Sequence, residues 1–201
     1  MDWAAVVRQE GERSSILRAD RLAETLNLNP VVVTQALARQ ERRGLVEHIS
    51  KKIYFNHLAS AASTRDLVNV IRPESYISLE TALREYGIST QSPSAITCVT
   101  TGRPGRFSGR SIRLTFRSIS RLLYWGFSEK KTRYGQYKLA DPEKALLDSV
   151  YFALQSGIEP PFDELELNSL SRRRLLEYSA RFPNTVNNCI IKVLAARSIA
   201  P

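Results

Sequence analysis

The sequence predicts an α+β fold in two regions. Residues 1–72 read as helices closed by a β-hairpin, and residues 73–201 as a mixed α/β region with a small sheet and surrounding helices. Three observations predict it. A length of 201 residues, against roughly 150 per domain, gives one large domain or two small ones. The first seventy residues carry helical apolar stripes and then two short β-prone runs. Beyond them, strand-like alternation is interspersed with further helical stripes. Apolar residues are 43% and charged residues 24%, which excludes a disordered, collagen-like or disulfide-scaffold chain. Asp2, Arg8, Glu10 and Glu12 deny the first residues a secretory signal's apolar centre. The sequence has no apolar run of about 18 residues, so no membrane partner is expected and a cytoplasmic chain is. Cys98 and Cys189 are expected to be small buried hydrophobes, not a disulfide pair.

Trp3, Val6 and Val7 have i, i+3, i+4 spacing, predicting a helix over about 3–9 that Gly11 stops. A second helix is expected from about Arg18 to Leu26, burying Leu22, Ala23 and Leu26. Asn27 then tolerates a left-handed turn. Asn29 is a natural N-cap and Pro30 a natural first residue for a third helix, which runs to Arg43 and ends at Gly44. Two short helices joined by a tight turn form a helix-turn-helix unit, whose second member can enter the major groove of DNA.

A helical wheel of the third helix turns Val33, Ala36, Leu37 and Gln40 toward the other helices, with Glu41 nearer that side, free to cap or pair. Val31, Thr34, Gln35, Ala38, Arg39 and Arg42 point outward. Gln35 can pair bidentately with adenine, and Val31 and Ala38 can meet thymine methyls. Arg39 and Arg42 are placed for phosphates. The runs Leu45–Ile49 and Ile53–Phe55 flank Ser50-Lys51-Lys52, a basic hairpin tip whose three residues are candidate DNA contacts, with His48 read as a surface strand residue. Leu22-Ala23, Val33, Leu37 and Glu41-Arg42-Arg43-Gly44-Leu45-Val46 resemble the winged-helix regulator pattern over about fifty residues. Gln40 departs from it, standing where such helices bury a leucine. A winged helix that binds protein instead of DNA is the alternative.

After a connector with a short helix ending at Pro73, Leu79, Ala82, Leu83 and Tyr86 mark a helix from about Ser78, closed by Gly87. Residues Ala95–Thr101 are β-rich. In Arg110–Ser118, Ile112, Leu114 and Phe116 alternate with Arg113, Thr115 and Arg117, which puts the two arginines on a solvent-facing strand surface and Arg103, Arg106 and Arg110 on the preceding loop. Tyr134–Leu139 is a further strand. Asp141-Pro142-Glu143 starts a helix with an N-cap carboxylate, a first-turn proline and a dipole-favoured acid. Leu146, Leu147, Val150, Tyr151 and Leu154 form its buried stripe, and Gly157 ends it. Helices over about 171–181 and Thr185–Arg197 complete the chain, the last burying Val186, Cys189, Ile190, Val193 and Leu194.

The net charge is +9, from 29 bases and 20 acids. Between Arg103 and Lys138 stand ten bases and one acid, Glu129, so the excess of nine lies within this segment and the remainder balances at 19 against 19. Arg103, Arg106, Arg110, Arg113, Arg117, Arg121, Lys130, Lys131 and Arg133 are candidates for a basic functional surface. Such a concentrated field suits nucleic acid or an acidic protein, or simply a solvated face.

Tyr76-Ile77-Ser78-Leu79-Glu80-Thr81-Ala82-Leu83 and Ala140-Asp141-Pro142-Glu143-Lys144-Ala145-Leu146-Leu147-Asp148, with basic strands between them, resemble the AbiEi antitoxins of type IV toxin–antitoxin (AbiE abortive-infection, phage-defence) systems over roughly residues 75–152. The resemblance implies a winged-helix autorepressor acting at inverted repeats in promoter DNA, nucleoid-associated, whose C-terminal domain counteracts a nucleotidyltransferase-like toxin, generally without a stable complex. No enzyme, cofactor or metal is implied. Gly102-Arg103-Pro104-Gly105-Arg106 is too short for a phosphate loop, and the scattered His and Cys lack zinc spacing. Asp141, Glu143, Lys144 and Asp148 are the one group resembling a metal-nuclease cluster, but Asp141 and Glu143 have helix-start roles and Asp148 reads as a helical surface charge. Arg172-Arg173-Arg174 reads as solvated. The rival function is an interaction protein that neutralises an acidic partner through the basic surface, without DNA regulation.

Overall fold

A computed structural model describes residues 1–196. The fold is mixed α+β and divides into two units. The first comprises Met1–Pro73 together with Phe107–Arg113 and Lys130–Tyr137, and the second holds Glu74–Arg106, Leu114–Glu129 and the described residues from Lys138.

In the first unit the order is α1 (Trp3–Gly11), β1 (Ile16–Arg18), α2 (Ala19–Leu26), α3 (Pro30–Arg42), β2 (Val46–Ser50), β3 (Ile53–Asn56) and α4 (Asp66–Ile71). Asp2 caps α1, its Oδ1 accepting from Ala4 N at 2.9 Å. Asn27 takes the left-handed conformation (φ 50°, ψ 49°) after α2. Asn29 Oδ1 accepts from Val31 N at 2.9 Å and Pro30 opens α3. Gly44 follows α3 at φ +75°, a turn that costs a side-chain-bearing residue strain. The three-residue β1 is too short to show an alternation, and it pairs antiparallel with β3 to give the sheet order β1-β3-β2. Val7, Leu17, Leu22, Val33, Leu37 and Tyr54 form the core, and full burial of each aliphatic side chain contributes about 1.5–3 kcal/mol. Asn56 is fully buried and donates from Nδ2 to Val7 O at 2.8 Å, tying the end of β3 to α1.

Two buried carboxylates explain why segments 107–113 and 130–137 belong with this unit. Glu47, on β2, accepts from Arg110 N at 2.6 Å and from Ser111 Oγ at 2.5 Å, with Ser111 N at 3.3 Å and His57 Nε2 at 3.4 Å. Gly109 makes room for it: a Cβ there would stand 1.9 Å from Glu47 Oε1. Asp66, on α4, accepts from Thr132 Oγ1 at 2.8 Å and Ser15 Oγ at 3.2 Å.

The remaining elements are β4 (Ser75–Ile77), α5 (Leu79–Glu85), β5 (Ile96–Thr100), β6 (Gly105–Ser108), β7 (Arg113–Ser118), β8 (Phe127–Lys131), β9 (Gln136–Ala140), α6 (Pro142–Gln155), α7 (Arg172–Ser179) and α8 (Asn184–Ala196). The expected end of the last helix, Arg197, lies outside the described residues. The strands form a six-stranded mixed sheet, order β6-β7-β5-β4-β9-β8, with β4–β5 antiparallel and β4–β9 and β5–β7 parallel. Arg106 therefore lies on a strand, not on a loop. The short strands β4, β6 and β8 carry too few alternating residues to announce themselves.

Helix starts depart from expectation in an informative way. Asp141 occupies the N-cap position of α6 but makes no cap bond; its Oδ2 accepts from Tyr178 Oη at 3.0 Å. Glu143 is buried, accepting from Ser171 N at 3.0 Å and pairing with Arg174 at 3.5 Å. Arg172 donates to Leu194 O at 3.1 Å, so two of the three consecutive arginines brace helices. At the start of α5, Leu79 holds φ +59° while fully buried, a conformation costing an L-residue roughly 1–2 kcal/mol. Thr97 holds the turn, its Oγ1 donating to Ser78 O at 2.7 Å and its N to Thr81 Oγ1 at 2.9 Å. Cys98 is buried, Cys189 half-buried, and both are free thiols. Among the described residues no helix is long and apolar enough to cross a membrane.

Candidate functional site

The candidate binding face lies on α3 and the β2–β3 tip, both in the first unit. Val33, Ala36 and Leu37 are fully buried and Gln40 nearly so, which fixes the opposite face outward. Gln40 Oε1 accepts from Arg43 Nη1 at 3.4 Å. Glu41 does pair: its Oε1 accepts from His48 N at 2.9 Å.

Outward stand Val31 at 61% exposure and Val32 at 45%, with Thr34, Gln35, Arg39 and Arg42 also exposed. Large apolar groups left open at the start of a helix whose other face is packed are the informative exposure here. Thr34 Oγ1 donates back to Pro30 O at 2.9 Å, so its hydroxyl hydrogen is already used. Ala38 is half-buried, on the margin of the face. Among the described residues, the side chains of Gln35, Arg39 and Arg42 have no hydrogen bond or ion pair.

The hairpin tip is held by its backbone. His48 Nε2 donates to Lys51 O at 2.9 Å, and Ala19 N donates to Lys52 O at 2.8 Å. Lys51 takes φ +43°. These bonds leave the Lys51 and Lys52 side chains exposed and without a partner among the described residues, while Ser50 is half-buried at the end of β2.

The basic run of the sequence is divided between the two units. Arg110, Arg113, Lys130, Lys131 and Arg133 belong to the first unit, and Arg103, Arg106, Arg117 and Arg121 to the second. Eight of these nine are exposed. Arg117 is less open than its strand position suggests: it is half-buried, its guanidinium 4.5 Å from the Phe152 ring centroid and 3.5 Å from Ser156 Oγ just past the end of α6.

Sequence reasoning missed a buried polar cluster in the second unit. Tyr76, Ser78, Lys144 and Asp148 all have 0% exposure, which corrects the reading of Asp148 as a surface charge. Lys144 Nζ donates to Asp148 Oδ1 and, at 2.9 Å, to Tyr76 Oη. Tyr76 Oη and Ser78 Oγ donate to Asp148 Oδ2 at 2.9 and 2.8 Å. The ammonium lies 5.0–5.3 Å from the ring centroids of Phe182, Tyr76 and Trp125, a cation–π enclosure. Gly126, at φ +73°, makes way for the lysine stem: a Cβ would come within 3.0 Å of Lys144 Cγ. Burial pushes the Lys144 ammonium down from its ordinary value, against the pull of Asp148. It pushes the Asp148 carboxyl up, against Lys144 and the two hydroxyl donors. Sealed from water, the cluster offers no surface to a substrate. No local signal in the sequence marks the cluster, because its members stand up to 72 residues apart along the chain.

The chemistry available is therefore that of a binding face: exposed methyls, one free amide and four free cations on a packed scaffold. Among the described residues no group of three or more His, Cys, Asp or Glu side chains is placed to hold a metal ion. No protein-family model matches this chain, and no curated protein matches it.

Proposed function

We propose that this protein is a DNA-binding autorepressor in which α3 enters the major groove and the β2–β3 tip lies along the backbone, the first unit acting as a winged helix. The observation that carries the reading is the exposed, unpartnered face of α3. Val31 is 61% open beside Gln35, Arg39 and Arg42, with Lys51 and Lys52 exposed at the tip. Aliphatic groups and an amide suit base edges, and the cations suit phosphates. The order of helices, strands and hairpin in the first unit agrees with this use. The resemblance of residues 75–152 to AbiEi antitoxins supports the second half of the proposal, that the chain counteracts a nucleotidyltransferase-like toxin without a stable complex, from a cytoplasmic, nucleoid-associated position and without catalysis of its own.

Fluorescence anisotropy with duplex from upstream of the protein's own gene, beside a scrambled duplex, tests the DNA reading. Gln35→Ala is expected to narrow the preference for the first duplex by about tenfold, within the 1–3 kcal/mol of a bidentate base contact. Lys51→Ala with Lys52→Ala is expected to weaken both duplexes alike. Equal binding of both duplexes by the unaltered protein would contradict a sequence-reading helix.

A further inference from the structure

The second unit contains a pocket of about 220 Å³ between α5, α6 and the segment 158–165. Leu79, Leu83, Leu146, Val150, Phe152 and Phe162 are among the residues that line it. Arg117 lines it as well. Arg117 is half-buried as a residue; its guanidinium rests on the Phe152 ring, meets Ser156 Oγ at the solvent edge, and has no carboxylate partner among the described residues. Two acids line the pocket, but differently: Glu80 is exposed, and Glu164 is exposed and held by Gln91 Nε2. The strained Leu79, at φ +59°, lines the same pocket, and backbone strain of this kind recurs at ligand clamps.

We infer that this pocket binds a small amphipathic carboxylate, its apolar chain lying among the leucines and its carboxylate paired with Arg117. A mostly apolar lining with one convergent cation has the character of a small-molecule site, and a guanidinium receives a carboxylate through two parallel N–H bonds. The site is separate from the face of α3, so it stands or falls independently of DNA binding.

The test uses the full chain with octanoate, octan-1-ol and octylamine as probes, followed by titration calorimetry and by NMR contacts between probe methylenes and the Leu146 and Val150 methyls. Octanoate is expected to saturate the site at or below about 1 mM, and octylamine to bind at least about tenfold more weakly. Arg117→Gln is expected to weaken octanoate about tenfold while leaving octan-1-ol within about twofold, and Arg117→Lys to restore part of the loss. Absence of saturable octanoate binding would overturn the inference. So would octylamine binding as tightly as octanoate, an unchanged affinity in Arg117→Gln, or contacts to residues elsewhere.

Discussion

Lys144→Met is expected to destabilise the second unit by about 3–5 kcal/mol, the cost of leaving a buried charge without its partner. Asp148 is fully enclosed, so losing the ammonium leaves a carboxylate with only Tyr76 and Ser78 as donors. The double replacement Lys144→Met with Asp148→Leu removes both charges and is expected to recover much of the loss. The pH dependence has a definite sign. Burial already raises Asp148 above the usual carboxylate range, and Lys144 opposes that shift. Without Lys144 the folded-state value rises further. A raised folded-state value favours folding at low pH, and that contribution is lost as pH rises through it. The Lys144→Met penalty is therefore smaller near pH 4 than near pH 7. Urea unfolding at the two pH values measures it, and an equal penalty at both would show that Lys144 does not shift the titration of Asp148 in the folded protein.

Glu47→Ala is expected to release segment 107–113. It removes the acceptor of Arg110 N, Ser111 N and Ser111 Oγ in one step, a loss of about 2–4 kcal/mol if those donors stay buried. The segment then opens locally, since its attachment to the first unit centres on this carboxylate. Gly109→Ala reaches the same latch from the other side, because its Cβ would overlap Glu47 Oε1. Both variants are expected to accelerate tryptic cleavage after Arg110 and Arg113 by about tenfold or more, in keeping with a loss above 1.4 kcal/mol. Unchanged cleavage there would mean that other contacts hold the segment.

The contrast between these two sites and α3 shows what the sequence makes legible. The Asn27, Asn29 and Pro30 signals, the buried face Val33-Ala36-Leu37-Gln40 and the hairpin around Lys51 are all local: caps, turns and a helical period set by residues a few positions apart. Each appears in the structure as read, with Ala38 and Ser50 less open than expected. Glu47, Asp66 and the Lys144–Asp148 pair instead owe their burial to partners 51 to 72 residues away or to helices packed on α6. No local periodicity carries that information. The second unit's paired motifs are a middle case. Their helix starts were legible, but the convergence of Tyr76, Ser78, Lys144 and Asp148 on one buried cluster was not. Ser78 and Asp141 occupy cap positions while their side chains serve longer-range bonds, because a cap hydroxyl or carboxylate goes to whichever donor or acceptor the packing leaves more in need.

Arg117 shows the same limit in the opposite direction. Alternation placed it correctly on the face opposite Ile112, Leu114 and Phe116, yet both faces of that strand receive cover, and α6 supplies it at Arg117. Charge counting along the chain found the basic run. The fold then divides it between two units, so its nine candidates are not one surface by virtue of being one segment.

The salt dependence of binding to duplex DNA tests the central claim most directly. If Arg39, Arg42, Lys51 and Lys52 each neutralise one phosphate, the logarithm of affinity falls against the logarithm of salt concentration with a slope of about −3.6 per protomer, and Lys51→Ala with Lys52→Ala reduces it by about 1.8. Binding that is absent at low salt, or whose slope is unaltered in the double variant, would contradict a DNA-binding role for this face.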